Sequence, residues 1–198
     1  MIMRLTTILL ITLIFGSCKE EALPLPKPRI YPKVSYPDKK MAPMNLKDCP
    51  FTLEAPTYFQ YLKDTAQNQK EKQFKCWFDL YCEALNGYVH ISYIDFKGRP
   101  AFDDLVQDAF EMVDKHNIKA SHRQELTISK PEDNLYGLIF EIDGPVATPL
   151  QFYMTDSLQH FIRGSLYFKS SVNRDSIAPV YQFLREDIVH MIETFEWE

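Results

Sequence analysis

Glycine is scarce in this sequence, with 6 residues in 198, so a protein built on glycine-rich nucleotide-binding loops is not indicated. Basic residues are not in excess either. The net charge is −5, so no diffuse positive field would attract nucleic acid or an anionic lipid surface. CxxC, HExxH, G-x-S-x-G and P-loop motifs are missing, and the five histidines are scattered. We therefore predict no nucleic-acid partner, no cofactor and no enzymatic activity.

Large apolar side chains, by contrast, are abundant. Apolar residues make up 45% of the chain, and 14 Phe and 11 Tyr supply material for a core. A chain of 198 residues is long enough for one domain plus a short extension.

The amino terminus resembles a bacterial lipoprotein signal. Arg4 precedes an uncharged run at residues 5–15, and Gly16-Ser17-Cys18 follows. The run is too short to span a bilayer, which takes about 20 residues. We predict that residues 1–17 are a signal peptide and that Cys18 becomes the lipidated amino terminus. Two or three fatty acyl chains on one cysteine would anchor the protein stably. An ordinary signal cut at a nearby small residue is the alternative.

The residues after Cys18 indicate to which membrane the lipoprotein is sorted. Lys19 in place of Asp favours sorting to the outer membrane, with the body facing the periplasm. Lys19-Glu20-Glu21 also resembles a short tag that carries some Bacteroidetes lipoproteins to the cell surface, so surface display is the alternative.

Six prolines lie between residues 23 and 43. Proline favours an extended polyproline conformation of about 3.1 Å per residue, so we predict that residues 18–47 carry the lipid and form a semi-rigid tether. The folded domain is expected at residues 48–198.

Three further cysteines remain in a chain exported to an oxidising compartment: Cys49, Cys76 and Cys82. Cys76 and Cys82 share one predicted strand and would lie about 20 Å apart, which excludes that pair. Pairs of Cys49 with Cys76 and of Cys49 with Cys82 remain. We choose Cys49 with Cys76, whose closed loop would stabilise the fold by about 3–4 kcal/mol, and Cys49 with Cys82 is the alternative. For Cys82 we favour a buried, inert thiol, and the alternative is a catalytic cysteine beside His90.

Period-two apolar spacing predicts most of the strands. The stretch 150–168 predicts a central hairpin around Thr155-Asp156-Ser157. Further strands are predicted at 48–54, 75–82, 88–94, 120–128 and 135–142, with 57–73 as a loop or insertion. A four-residue turn at 84–87 would pair Cys82 with Val89, Leu80 with Ile91, Phe78 with Tyr93 and Tyr81 with His90.

Two stretches with helical periodicity follow strands. One runs from about residue 100 to His116. Its apolar stripe is Phe102, Leu105, Val106, Ala109, Phe110 and Val113. The other starts after capping residues at 173–176, with Pro179 in its first turn. Its stripe is Ile177, Val180, Tyr181, Leu184, Ile188, Met191 and Phe195.

We therefore predict an α+β fold, a single antiparallel sheet with two long amphipathic helices packed on it. The order of elements is similar to that of a PsbP/Mog1-like α/β/α sandwich, which implies nothing about chemistry.

Two pairs of residues could carry metal or acid–base chemistry. His116 and His122 flank a helix–strand boundary and could bind a metal, although solvated histidines are the simpler interpretation. Asp187 and His190 are three residues apart on the last helix and could touch. We interpret them as a partner-facing patch rather than an acid–base pair.

Asp156, Ser157 and His160 have the residue types of a nucleophile site. Turn formation explains Asp and Ser at these positions without catalysis.

Four segments resemble the gliding motility lipoprotein GldD family of Bacteroidetes. They are Asp48-Cys49-Pro50-Phe51, Cys76-Trp77-Phe78, the hairpin QFYMTDS at 151–157 with GSLYF at 164–168, and the last helix with Asp175-Ser176-Ile177-x-Pro179, Leu184, Asp187-Ile188-x-His190, Glu193-Thr194 and Trp197.

The resemblance implies an envelope component that is needed for gliding, is linked to type IX secretion, and acts through protein contacts without a known catalytic activity. Cys49 and Cys76 match family positions, which supports a disulfide between them. Cys82 departs from the expected proline, so no family role transfers to it. The alternatives are a periplasmic ligand-binding module with an aromatic pocket between sheet and helix, and a weak hydrolase that uses His160 or His190.

Overall fold

Two antiparallel sheets and two long helices form the part of the chain that the computed structural model describes, namely residues 33–47, 49–63, 76–117, 120–169 and 174–198. The strands are β1 (Met41–Asn45), β2 (Phe51–Pro56), β3 (Gln60–Lys63), β4 (Trp77–Cys82), β5 (Gly87–Asp95), β6 (His122–Lys130), β7 (Leu135–Asp143), β8 (Leu150–Thr155), β9 (His160–Phe168) and β10 (Glu196–Trp197). The helices are α1 (Gly98–Asn117) and α2 (Arg174–Glu193). The larger sheet has the order β3-β4-β5-β9-β8-β7-β6, and the smaller has the order β1-β2-β10.

The predicted central hairpin is β8–β9, and β9 is the middle strand of the seven. Leu150, Phe152 and Met154 face one side of the sheet, where they join the core under α2. Tyr153 and Phe161 point to the other side and join the core under α1. The two helices therefore pack on opposite faces of this hairpin.

The two helices cover opposite faces of the larger sheet. Helix α1 buries Ala109 and Val113 against Phe140, Ile142 and other side chains of β7 to β9. The predicted stripe of α1 accounts for this contact, because its remaining members pack against the same cluster.

Helix α2 and the smaller sheet share the other face. Leu184 and Ile188 are fully buried there, together with Phe51 of β2 and Phe195, which follows the helix. Helix α2 begins at Arg174, which places Pro179 in its second turn rather than its first.

The prediction of a single sheet is wrong in this detail, because β2 pairs with β1 and β10 instead of joining the larger sheet. Three strands were not predicted, each for a physical reason. β1 lies in the stretch assigned to the tether and contains Pro43, which a sheet edge tolerates. β3 is exposed along its whole length, so it shows no apolar alternation. β10 has only two residues.

The predicted register of the β4–β5 hairpin is also wrong, by two residues. Residues 83–85 form a 3₁₀ turn that Asn86 closes with a φ of 50°, so Gly87 is already in the strand. A shift of two keeps every side chain on its predicted face. The observed pairs are Cys82 with Gly87, Leu80 with Val89, Phe78 with Ile91, Tyr81 with Tyr88 and Asp79 with His90.

Within the described ranges, neither helix is apolar enough over a sufficient length to cross a bilayer.

Candidate functional site

A cleft opens at one end of the larger sheet, where three chain segments converge. It is lined by residues 132–134 of the β6–β7 turn, by 156 and 158–160 of the β8–β9 turn, and by 196–198 at and after β10. Its volume is about 500 Å³. Cavities between about 300 and 1,000 Å³ hold small ligands or side chains of a partner.

Asp156 builds the wall of the cleft at the β8–β9 turn. Its Oδ1 accepts the backbone N–H groups of Leu158, Gln159 and His160 at 2.9, 2.9 and 2.8 Å. Burial opposes ionisation of this carboxyl, but the three donors outweigh it and hold the pKa of Asp156 below its ordinary value. Ser157 turns the chain with a φ of 62°.

His160 is held by a relay of hydrogen bonds. Its Nδ1 lies 2.5 Å from Tyr93 Oη, and that hydroxyl donates to Asp95. Burial, together with the bond to Asp95, raises the pKa of Tyr93. Because the tyrosine proton goes to Asp95, Tyr93 Oη accepts from His160 Nδ1–H. The other ring nitrogen, Nε2, lies 2.9 Å from the Nε2 of Gln159.

Trp197 stacks on the other side of His160, with ring centroids 5.1 Å apart and an angle of 21° between the planes. Its indole also contacts Phe195 edge-on, at 4.6 Å. The Trp197 N–H is buried and meets no acceptor among the described residues.

Carboxylates form the rim of the cleft. Asp133 is paired with Lys130 at 2.7 Å, and the same ammonium reaches the carbonyls of Glu193 and Phe195. Lys130 therefore does not neutralise the exposed acidic side chains that line the cleft, which are those of Glu132, Glu196 and Glu198.

The suggested nucleophile site is brought together only in part. Asp156 and His160 both line the cleft, but Asp156 bonds the backbone of His160 and not its ring. Among the described hydrogen bonds, none joins Ser157 to His160. The arrangement is that of an Asp-capped turn.

The predicted partner-facing pair, Asp187 with His190, is separated by the fold. Asp187 is 1% exposed, so it cannot face a partner, and this part of the prediction is wrong. The helical wheel places Asp187 beside the apolar stripe, and that side is covered by Lys39 from the chain before β2 and by Tyr58 from the chain after it. His190 is partly exposed, and its Nε2 lies 2.9 Å from Glu54 Oε2.

Sequence reasoning missed the cluster that covers Asp187. Tyr58 donates its hydroxyl proton to one carboxylate oxygen, and Lys39 Nζ lies 3.1 Å from the other. Lys39 also pairs with Glu186 at 2.7 Å and lies over the ring of Phe183. Burial and the hydrogen bond to Asp187 raise the pKa of Tyr58. Lys39 lies in a proline-rich stretch whose composition indicates a spacer, so no sequence signal marks these contacts.

The sulfur atoms of Cys49 and Cys76 are bonded, with the Cα atoms 5.4 Å apart. Cys82 is a free, buried thiol, and burial raises its pKa, which disfavours the reactive thiolate. His90 faces the other side of the sheet, where its Nδ1 lies 2.7 Å from Asp79 Oδ1. The geometry therefore does not support a Cys82–His90 pair.

The remaining suggested sites gain no support. Cys18 and the side chain of His116 lie outside the described residues, so neither lipidation nor the His116–His122 pair is tested. Within the described parts of the chain, no group of three or more His, Cys, Asp or Glu side chains could hold a metal ion. A cavity beside α2 at Tyr181 measures about 60 Å³, which is too small for the proposed ligand pocket.

The fold and this cleft define an antiparallel α/β protein with an acidic surface recess. Among solved structures, the solution structure of cyanobacterial PsbP (CyanoP) from Synechocystis sp. PCC 6803 is similar, with 9% sequence identity and a TM-score of 0.48 over 93% of this chain and 99% of that chain. No curated protein matches the sequence. The family described as gliding motility lipoprotein GldD matches residues 21–197.

The chain therefore belongs to the gliding motility lipoprotein GldD family, and the predicted resemblance is confirmed. Membership links it to gliding motility and to lipoproteins associated with the cell envelope.

Proposed function

We propose that this protein is a non-enzymatic envelope lipoprotein that supports the assembly or stability of the gliding motility and type IX secretion machinery through protein contacts. The family match over residues 21–197 is the observation that carries the proposal. The acidic cleft supports it, because an open recess lined by carboxylates can select a protein partner of complementary charge.

Lipidation at Cys18 is the first step of this proposal, with residues 1–17 removed and the stretch from Cys18 serving as tether. Radioactive palmitate should label the wild-type protein and fail to label Cys18→Ala. Label on the variant would refute anchoring through this thiol.

The location follows from the residue after the anchor. We place the lipid in the outer membrane with the body in the periplasm. Protease added to intact cells should then leave the body uncut and should cut it only after the outer membrane is opened. Cleavage in intact cells would instead favour surface display.

Partner contacts are tested by crosslinking in native membranes followed by isolation of the protein. Proteins of the secretion and motility machinery should be recovered with the wild type. A Cys18→Ala variant, released from the membrane, provides the control for adventitious capture. Repeated isolation without any such protein would refute the proposed role.

A further inference from the structure

The negative charge of the acidic cleft is not fully neutralised by basic side chains of the described residues. Lys130 lies next to the cleft, but its ammonium is paired with Asp133 and donates to the backbone carbonyls of Glu193 and Phe195. The carboxylates of Glu132, Glu196 and Glu198 are exposed, and no described cation lies within ion-pair distance of them. A negative recess with low-dielectric walls attracts cations more strongly than an open surface does.

The floor and rim of the cleft offer apolar contact as well. His160 and Trp197 stack there as a pair of flat rings that Tyr93 and Phe195 hold in place. Leu158, at the tip of the β8–β9 turn, is 74% exposed. The long alkyl stems of Lys and Arg cover such surfaces while their charged ends reach carboxylates.

The arrangement discriminates between kinds of cation. In the described part of the chain, no three acidic, His or Cys side chains converge on a point where they could chelate one metal ion. Three separate segments carry the charges, so a ligand must bring several cationic groups spread over the length of the cleft. An extended basic peptide has that form.

We propose that the cleft binds a basic segment of a partner protein. Lys or Arg side chains reach the carboxylates of Glu132 and Glu196, and a neighbouring apolar side chain contacts Leu158. The inference rests on the proposed function in one respect, that the protein acts through protein contacts. It adds where one partner docks and what chemistry that partner presents.

The test uses the full-length protein in neutral detergent micelles and a fluorescein-labelled peptide, Lys-Leu-Lys-Leu-Lys, read by fluorescence anisotropy. The peptide should bind saturably, and affinity should fall as salt rises. A peptide with Glu in place of Lys should not bind. A wild-type protein that shows no saturable binding below about 1 mM would overturn the inference.

The decisive comparison is between two double variants of equal charge change. Glu132→Gln with Glu196→Gln should weaken binding about tenfold, because it removes two cleft carboxylates. Asp104→Asn with Glu111→Gln, exposed on α1, should change affinity by less than about twofold. Equal losses in both variants would show attraction to net charge alone and would refute docking in the cleft. Displacement of the peptide by calcium, at matched ionic strength, would make the cleft a metal site and would also refute it.

Co-isolation from native membranes separates this inference from the proposed function. Loss of one machinery protein from the Glu132→Gln, Glu196→Gln variant supports both. If the variant recovers the same proteins as the wild type, the cleft is not the docking site, although the proposed function stands. If the wild type recovers none, the proposed function fails as well.

Discussion

Lys39 contacts two neighbouring carboxylates of α2 that differ in exposure. Glu186 is exposed, whereas Asp187 is 1% exposed and also accepts a proton from Tyr58. Asp187→Ala leaves Tyr58 and Lys39 without their buried partner and should lower the free energy of unfolding by about 3 kcal/mol. Glu186→Ala breaks only an exposed pair with the same lysine and should lower the free energy of unfolding far less. Urea unfolding of the two variants measures both values, and equal losses would contradict the difference in burial as the cause.

Asp156 should make stability depend on pH at the acid end. In the folded protein the pKa of Asp156 lies below the ordinary value near 3.9. The contribution of this carboxylate to the free energy of unfolding is therefore fully present above the ordinary pKa and is lost as the pH falls through the folded pKa. Asp156→Asn should therefore cost about 1–2 kcal/mol at pH 7, and the cost should shrink as the pH falls through the folded pKa of Asp156. Urea unfolding across this range, with Asp104→Asn as the exposed control, measures the effect. A pH-independent loss would contradict the role of the ionised carboxylate.

At the scale of elements, the disulfide joins the chain just before β2 to the start of β4. Its sequence separation of 27 residues predicts a stabilisation of about 3–4 kcal/mol from the loss of chain entropy in the unfolded state. Cys49→Ser with Cys76→Ser should lower the free energy of unfolding by that amount. Reducing agent should destabilise the wild type to the same extent and leave the double variant unchanged. A wild type that is indifferent to reduction would contradict the bond.

The β8–β9 hairpin also depends on one close approach. Gly164 lies opposite Phe152, and an added Cβ would lie 2.1 Å from the Phe152 ring, which is buried. Gly164→Ala must displace this ring and should cost about 1–3 kcal/mol. Ser165→Ala, one residue on, faces the other side of the sheet and should be nearly neutral. Thermal unfolding compares the two, and a neutral Gly164→Ala would show that the ring has room to move.

Apolar periodicity predicted the elements that bury one regular face, which are the β8–β9 hairpin and the helices α1 and α2. It could not show β3, whose residues are all exposed, or β1, where proline indicates a spacer. The cleft could not be predicted from the sequence for another reason. Local residue types indicate the turn at Asp156 and His160. Glu132 and Trp197 come close to that turn only because of the order of the strands, which no local pattern encodes.

At the scale of the whole molecule, the boundary between tether and body can be tested by shortening the chain. The predicted boundary at residue 48 falls after β1 and after Lys39. A protein that begins at Lys33 should keep the stability of the body. One that begins at Lys47 loses the pairing of β1 and leaves Asp187 without Lys39, and should be at least about 3 kcal/mol less stable. Urea unfolding of both proteins decides, and equal stability would restore the boundary at residue 48.

The crosslink at Cys49 has a mechanical consequence for a body held by its amino end. Traction on the proposed anchor would first pull Lys39 away from Glu186 and Asp187 and would then separate β1 from β2, starting at Met41. Unravelling then halts at Cys49, because a covalent bond to Cys76 passes the load to the strand that begins at Trp77. A moving cell can therefore pull on such a protein without unravelling β2 and β3, which lie inside the loop that the crosslink closes.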